Sequence, residues 1–316
     1  MKRIDRLLIC ALVLCALLLS GCAAPWEPPD DGRLRIVTTL FPYYDFARAV
    51  AGDKADVTLL LSPGREAHSF EPTPLDAARI ARADVFVYNG GESEEWVEDM
   101  LGAVGGDIGT VLRMMDYVEA AEEEFVEGMQ GAEDGEDSDE IEYDEHVWTS
   151  PANAALLCGA LRDALCAADA ANADAYRANC AAYVAELDAL DARFRALRAG
   201  AERDLLVFAD RMPLLYFCEA YGLRYRAAFH GCSTDTEPSL ATLKYLIDKV
   251  ADEGVPVVYT VDLDSKRIAE VVAESTGAGI GTLYSLQTVS RADFDAGETY
   301  ITLMERNLAA LERGLA

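Results

Sequence analysis

The chain has 316 residues, 51% of them apolar, which is enough for roughly two domains of ~150 residues with real cores. Its formal charge of −29, from 56 acidic and 27 basic side chains, excludes a nucleic-acid binder, since phosphate contacts need clustered Lys and Arg. A cationic or neutral ligand fits better, and the three histidines, His68, His146 and His230, all lie outside plain helical or strand patterns.

In chain order, MKRIDR is a short basic region and LLICALVLCALLL an apolar run of thirteen residues. That is too short for a comfortable membrane span of ~20 and right for a secretory signal, here residues 1–21. The run ends in LSGC, which resembles the bacterial lipoprotein box. Cys22 is therefore the expected lipidation site, and residues 22–32, rich in proline and acids, are the tether behind it. Four β-like runs follow: RIVTTL from Arg35, ADVTLLL from Ala55, DVFVYNG from Asp84 and DIGTVL from Asp107. Helix-like YDFARAVAG and PLDAARIARA separate them. Glu119–Glu145 then carries fourteen acids and no Lys or Arg. Its centre has too little apolar surface to fold alone, so a solvating loop, or a weak cation collector beside His146, is expected.

In YRANCAAYVAELDALDARFRAL, the residues Tyr176, Cys180, Tyr183, Leu187, Leu190, Phe194 and Leu197 alternate steps of four and three, one apolar stripe on a helix that Gly200 ends. Such a helix spans ~35 Å, enough to run along two lobes and join them. The α/β alternation then returns with DLLVFA from Asp204, YRAAF from Tyr225, VPVVYTV from Val255 and GIGTLY from Gly279. The expected fold is α/β, with two lobes of roughly four strands each flanked by helices. The first lobe is residues 33–170 with the acidic loop 119–145, the joining helix 171–199 and the second lobe 200–316.

Ligands of open α/β sheets bind beyond the carboxyl ends of the strands. His68 follows ADVTLLL, Asp210 follows DLLVFA, His230 follows YRAAF and Tyr284 ends GIGTLY; His146 precedes VWTSPANAALL, where Ser150 can cap a helix starting at Pro151. Imidazole and carboxylate from distant loops suit zinc, manganese or ferrous iron. Five cysteines remain beyond Cys22: Cys158, Cys166, Cys180, Cys218 and Cys232. No CxxC pair is present, which argues against a thiolate zinc site, and Cys158 and Cys166 read as small buried residues on a helix. The lack of an HExxH helix, a GxSxG elbow or a P-loop argues against a metal-dependent hydrolase.

EAHSFEPTP, YDEHVWTSP, YGLRYRAAFHGCSTDTEPS and VVAESTGAGIGTLYSL resemble, in order and spacing over about residues 33–316, segments of the zinc- and manganese-type substrate-binding lipoproteins of bacterial ABC importers. The resemblance implies two lobes joined by one rigid long helix, with a divalent metal ion in the cleft between them. It further implies an importer permease as partner, an extracytoplasmic location with a lipid anchor at Cys22, and no enzymatic activity. His68 and His146 are then ligands from the first lobe, and Asp210 stands at the third position. The fourth ligand, commonly a carboxylate, gives way here to Tyr284, so His230, a water or Tyr284 is left to complete the shell. The other role for His230 is to hydrogen-bond Asp210 from behind. Glu71 and Glu237 read as loop-ordering carboxylates, and Arg211 as the holder of a loop carboxylate in the cleft. Two histidines and a carboxylate take zinc ahead of manganese. A manganese or iron carrier, or a surface adhesin on the same scaffold, are the alternatives.

Overall fold

Among the described residues, eight short runs form strands in two sheets, the inner ones rich in buried β-branched and aromatic residues. β1 (Leu34–Thr38), β2 (Ala55–Leu59), β3 (Val85–Tyr88) and β4 (Thr110–Arg113) lie in the order β2-β1-β3-β4. β5 (Leu205–Met212), β6 (Arg224–His230), β7 (Val257–Val261) and β8 (Gly279–Leu283) repeat that plan as β6-β5-β7-β8. All the ladders joining them are parallel, so each connection is a crossover, mostly helical. Strand order reverses between β1 and β3 and between β5 and β7, where the loops diverge and leave a crevice. The computed structural model describes residues 32–105, 108–123, 125–130, 143–233 and 237–316. The leader, the tether through residue 31 with Cys22, and the centre of the acidic segment lie outside the described residues.

All eight expected runs are strands, and their boundaries shift most at β4 and β5. β4 begins only at Thr110. β5 runs on past Ala209 to Met212: its register against β6 breaks between Phe208 and Arg211, then resumes with Arg211 opposite Phe229 and Met212 opposite His230. Asp210 thus sits inside an irregular strand rather than in a loop after it.

The long helix covers Ala173–Gly200, 28 residues or about 42 Å. Its buried face is the expected stripe, Tyr176 to Phe194, with Leu197 half-buried at the end. It packs on the helices Phe41–Ala51 and Pro151–Ala168 from one lobe and Tyr300–Leu315 from the other. Phe194 stacks edge-on with Phe217 at 4.9 Å, and Tyr183 donates to the buried Asp45 at 2.8 Å. One apolar cluster therefore runs through both lobes, each large side chain contributing about 1.5–3 kcal/mol on burial. Cys158, Cys166, Cys180, Cys218 and Cys232 are all free thiols.

Candidate metal centre

The loops at the carboxyl ends of the strands enclose a cavity of about 180 Å³, lined by Glu66, His68 and His146 from one lobe and Arg211, Asp262, Asp264 and Gln287 from the other. The loop after β2 is fixed at both ends. Gly64 N–H reaches across the cleft to Val289 O at 2.7 Å, and a capping box between Thr73 and Asp76, with Pro74 at the first helical position, starts the next helix. Between them the turn closed by Phe70 N–H on Ala67 O (3.0 Å) presents His68.

His146 precedes the single turn Val147–Thr149, whose Thr149 hydroxyl and amide both donate to His146 O. Asp144 Oδ1 accepts the His146 amide at 2.8 Å and lies 3.2 Å from Nδ1. That hydrogen bond assigns the Nδ1–H tautomer and leaves Nε2 as the electron-pair donor, an arrangement typical of metal-bound histidine. The His68 and His146 rings stand 6.2 Å apart. Burial, then the neighbouring His146, holds the His68 imidazole down at about 4, so it is neutral at pH 7. For His146, burial is the largest single effect and would lower the pKa, but the Asp144 carboxylate together with Glu145 and Glu123 turns the net shift upward.

One more side chain completes this group. Ligand atoms of His68, His146 and Cys232 all lie within 4.8 Å of one another, the single such cluster among the described residues. Burial, then the Glu123 charge, raises the Cys232 thiol, so it is protonated in the free protein. Gly231 makes the approach possible: a Cβ there would stand 3.1 Å from Asp144 Oδ2 and Met212 O and 3.2 Å from His146 Cε1.

The other expected residues lie apart from that cluster. Asp210 spends Oδ1 on the Arg211 amide (2.8 Å) and Oδ2 on the Val261 amide (3.1 Å), tying β5 to β7; burial, then Asp264, raises it to about 6. His230 places Nδ1 3.0 Å from Glu123 Oε2 and its ring 5.2 Å from Phe125. Tyr284 turns toward the C-terminal helix, its hydroxyl 3.3 Å from Arg306 Nη1. Glu237 pairs with Arg267 at 2.9 Å, and Glu71 is exposed. Arg211 does hold loop carboxylates in the cleft, Asp264 at 2.9 Å and Glu66 at 3.2 Å, and these two offset its charge within the cavity that His68 and His146 line.

Sequence reasoning missed Cys232 and Gln287. A signal for the first existed: Cys158, Cys166, Cys180 and Cys218 lie in helices, whereas Cys232 lies in a loop just past a strand end. Gln287 is 7% exposed and lines the cavity, and its Nε2 has no hydrogen-bond partner among the described residues. Leu263 (φ 69°) and Leu286 (φ 63°) are non-glycine residues in the left-handed region, each between two cavity-lining neighbours. Such strain, about 1–3 kcal/mol per residue, is characteristic of backbone bent to aim functional groups.

Residues 36–314 match the family model of the zinc-uptake complex component A, periplasmic. The chain is 34% identical over 314 residues to the zinc-binding lipoprotein AdcA of Streptococcus pneumoniae, covering 99% of this chain and 61% of that protein. To the high-affinity zinc uptake system protein ZnuA of Bacillus subtilis it is 32% identical over 311 residues, 96% of either chain. The crystal structure of the Zn(II)-bound ZnuA-like domain of Streptococcus pneumoniae AdcA superposes with a TM-score of 0.75 at 31% identity, over 90% of this chain and 99% of that one. The chain thus spans about three-fifths of AdcA and nearly all of the Bacillus subtilis relative.

Proposed function

The chain belongs to the zinc-uptake complex component A family, and from that premise we propose that it captures a divalent metal ion, zinc, between its two lobes and hands it to the membrane permease of an ABC importer. The observation that supports this most is the convergence of His68 and His146, 78 positions apart (146 − 68), on one cavity with His146 oriented by Asp144. In this reading His68 and His146 are ligands. Asp210 shapes the floor of the cleft through the Arg211 and Val261 amides, and His230 supports the site through Glu123. Residues 33–170 and 200–316 act as the two lobes about the joining helix. Cys22 carries the lipid that keeps the protein on the outer side of the cell membrane, as the lipoprotein name of AdcA suggests.

Competition titration of the demetallated protein against a chromophoric chelator tests metal capture. Zinc is expected to bind more tightly than manganese, and His68→Ala or His146→Ala to weaken zinc binding by well over ~100-fold, more than supporting groups cost. Wild-type zinc affinity in both variants would overturn the reading.

A further inference from the structure

We propose that Cys232 is the third metal ligand, so that the captured ion lies between two imidazoles and a thiolate, and that this set selects zinc over manganese. It presupposes metal capture at His68 and His146 as read above. The Sγ of Cys232 already lies within 4.8 Å of the ligand nitrogens of both histidines, a spread that one ion can close. The loop that carries it is built to hold it there. Glu123 Oε1 accepts the Cys232 amide at 3.2 Å, Glu123 Oε2 meets His230, and Arg211 Nη1 donates to Ser233 O at 3.3 Å. Gly231 lets the loop lie against the His146 ring without a clash. Asp210, whose two carboxylate oxygens each accept a backbone amide, is not among the side chains whose ligand atoms gather there.

The chemistry follows from the donor set. Thiolate and imidazole favour zinc, whereas manganese prefers carboxylate, carbonyl and water oxygens. On binding, the Cys232 S–H bond breaks, its proton passes to solvent and the sulfur electron pair goes to the ion, as thiolate ligation requires. Three protein ligands leave a fourth position for water or for the amide oxygen of Gln287, and a site that is not closed by protein suits an ion that has to be released.

Cobalt(II) and zinc titrations of the purified wild-type protein and of Cys232→Ser test this. The cobalt(II) form of the wild type should show a sulfur-to-metal charge-transfer band in the near ultraviolet that Cys232→Ser lacks. The variant should lose more than ~100-fold in zinc affinity and much less in manganese affinity, beyond the 10–100-fold typical of a supporting residue. In the wild type, zinc should also shield Cys232 from alkylation, read by peptide mass mapping, which keeps the test decisive if the variant misfolds. Absence of the band, or alkylation of Cys232 unchanged by saturating zinc, would overturn the thiolate while leaving metal capture standing. Wild-type zinc affinity in His68→Ala and His146→Ala would overturn both.

Discussion

Asp144 and Glu123 never enter the cluster of ligand atoms, yet each fixes a residue that does. Asp144 binds both the amide and the ring of His146, so Asp144→Asn keeps the size of the side chain but removes the charge that holds Nδ1–H. Zinc affinity should fall 10–100-fold by chelator competition, less than for His146→Ala. His230 acts one step further away, through Glu123 and the Cys232 amide. His230→Gln should therefore cost no more than about 10–100-fold, and a loss equal to that of His146→Ala would make His230 a ligand after all. Both carboxylates come from the described ends of the acidic segment, which sequence composition reads as solvent loop. The composition is a property of the whole window, whereas the roles of Glu123 and Asp144 arise from contacts across the fold.

At the level of elements, the inner strands β1, β3, β5 and β7 were legible because parallel strands covered on both faces read as continuous apolar runs, whereas the edges β4 and β8 are partly exposed and signal less clearly. The long helix was legible because Tyr176 to Phe194 keep one face for five turns. The end of β5 was not legible. The break between Phe208 and Arg211 depends on how β6 and β7 pair with it, which local sequence does not encode, so Asp210 read as a residue of the loop after the strand. Cys232 was missed for a related reason, since its partners are 164 and 86 positions upstream (232 − 68 and 232 − 146). The turn after β3 carries its own pH dependence. Glu94 Oε2 accepts the Asn89 and Gly90 amides at 2.6 and 2.9 Å, and burial lifts its carboxyl from 4.5 to about 7. The folded protein therefore holds a proton there that the unfolded chain releases above pH 4.5. That contribution to stability is fully present below pH 4.5 and lost as pH rises through about 7. Urea unfolding of wild type and Glu94→Gln should show the difference moving in favour of the variant between pH 5 and pH 8, by up to about 3 kcal/mol. A difference independent of pH would show that Glu94 is ionised throughout.

Across the whole molecule, the two lobes share a core and meet at the rim of the cavity. Trp148 Nε1 donates to Ser285 O at 2.8 Å, Phe41 N–H to Gln287 O at 3.3 Å, and Arg211 reaches Glu66 at 3.2 Å. The segments that carry these contacts are the ones that carry or flank His68, His146 and Gln287, so an ion held in the cavity adds a tie between elements that already meet through the shared apolar core and these polar bonds. Only the folded chain brings His68, His146 and Cys232 within reach of one ion, so zinc should stabilise the protein by mass action. At free zinc one hundred times Kd the gain is about 2.7 kcal/mol, a rise in Tm of roughly 5 °C for a chain of this size. His68→Ala, His146→Ala and Cys232→Ser should each abolish most of that rise at the same zinc concentration. Glu94→Gln, outside the cavity lining, should shift the starting Tm but keep the full zinc increment. Differential scanning calorimetry of the four variants with and without zinc separates these cases. An increment undiminished in His68→Ala and His146→Ala would mean that zinc binds elsewhere on this strongly acidic chain.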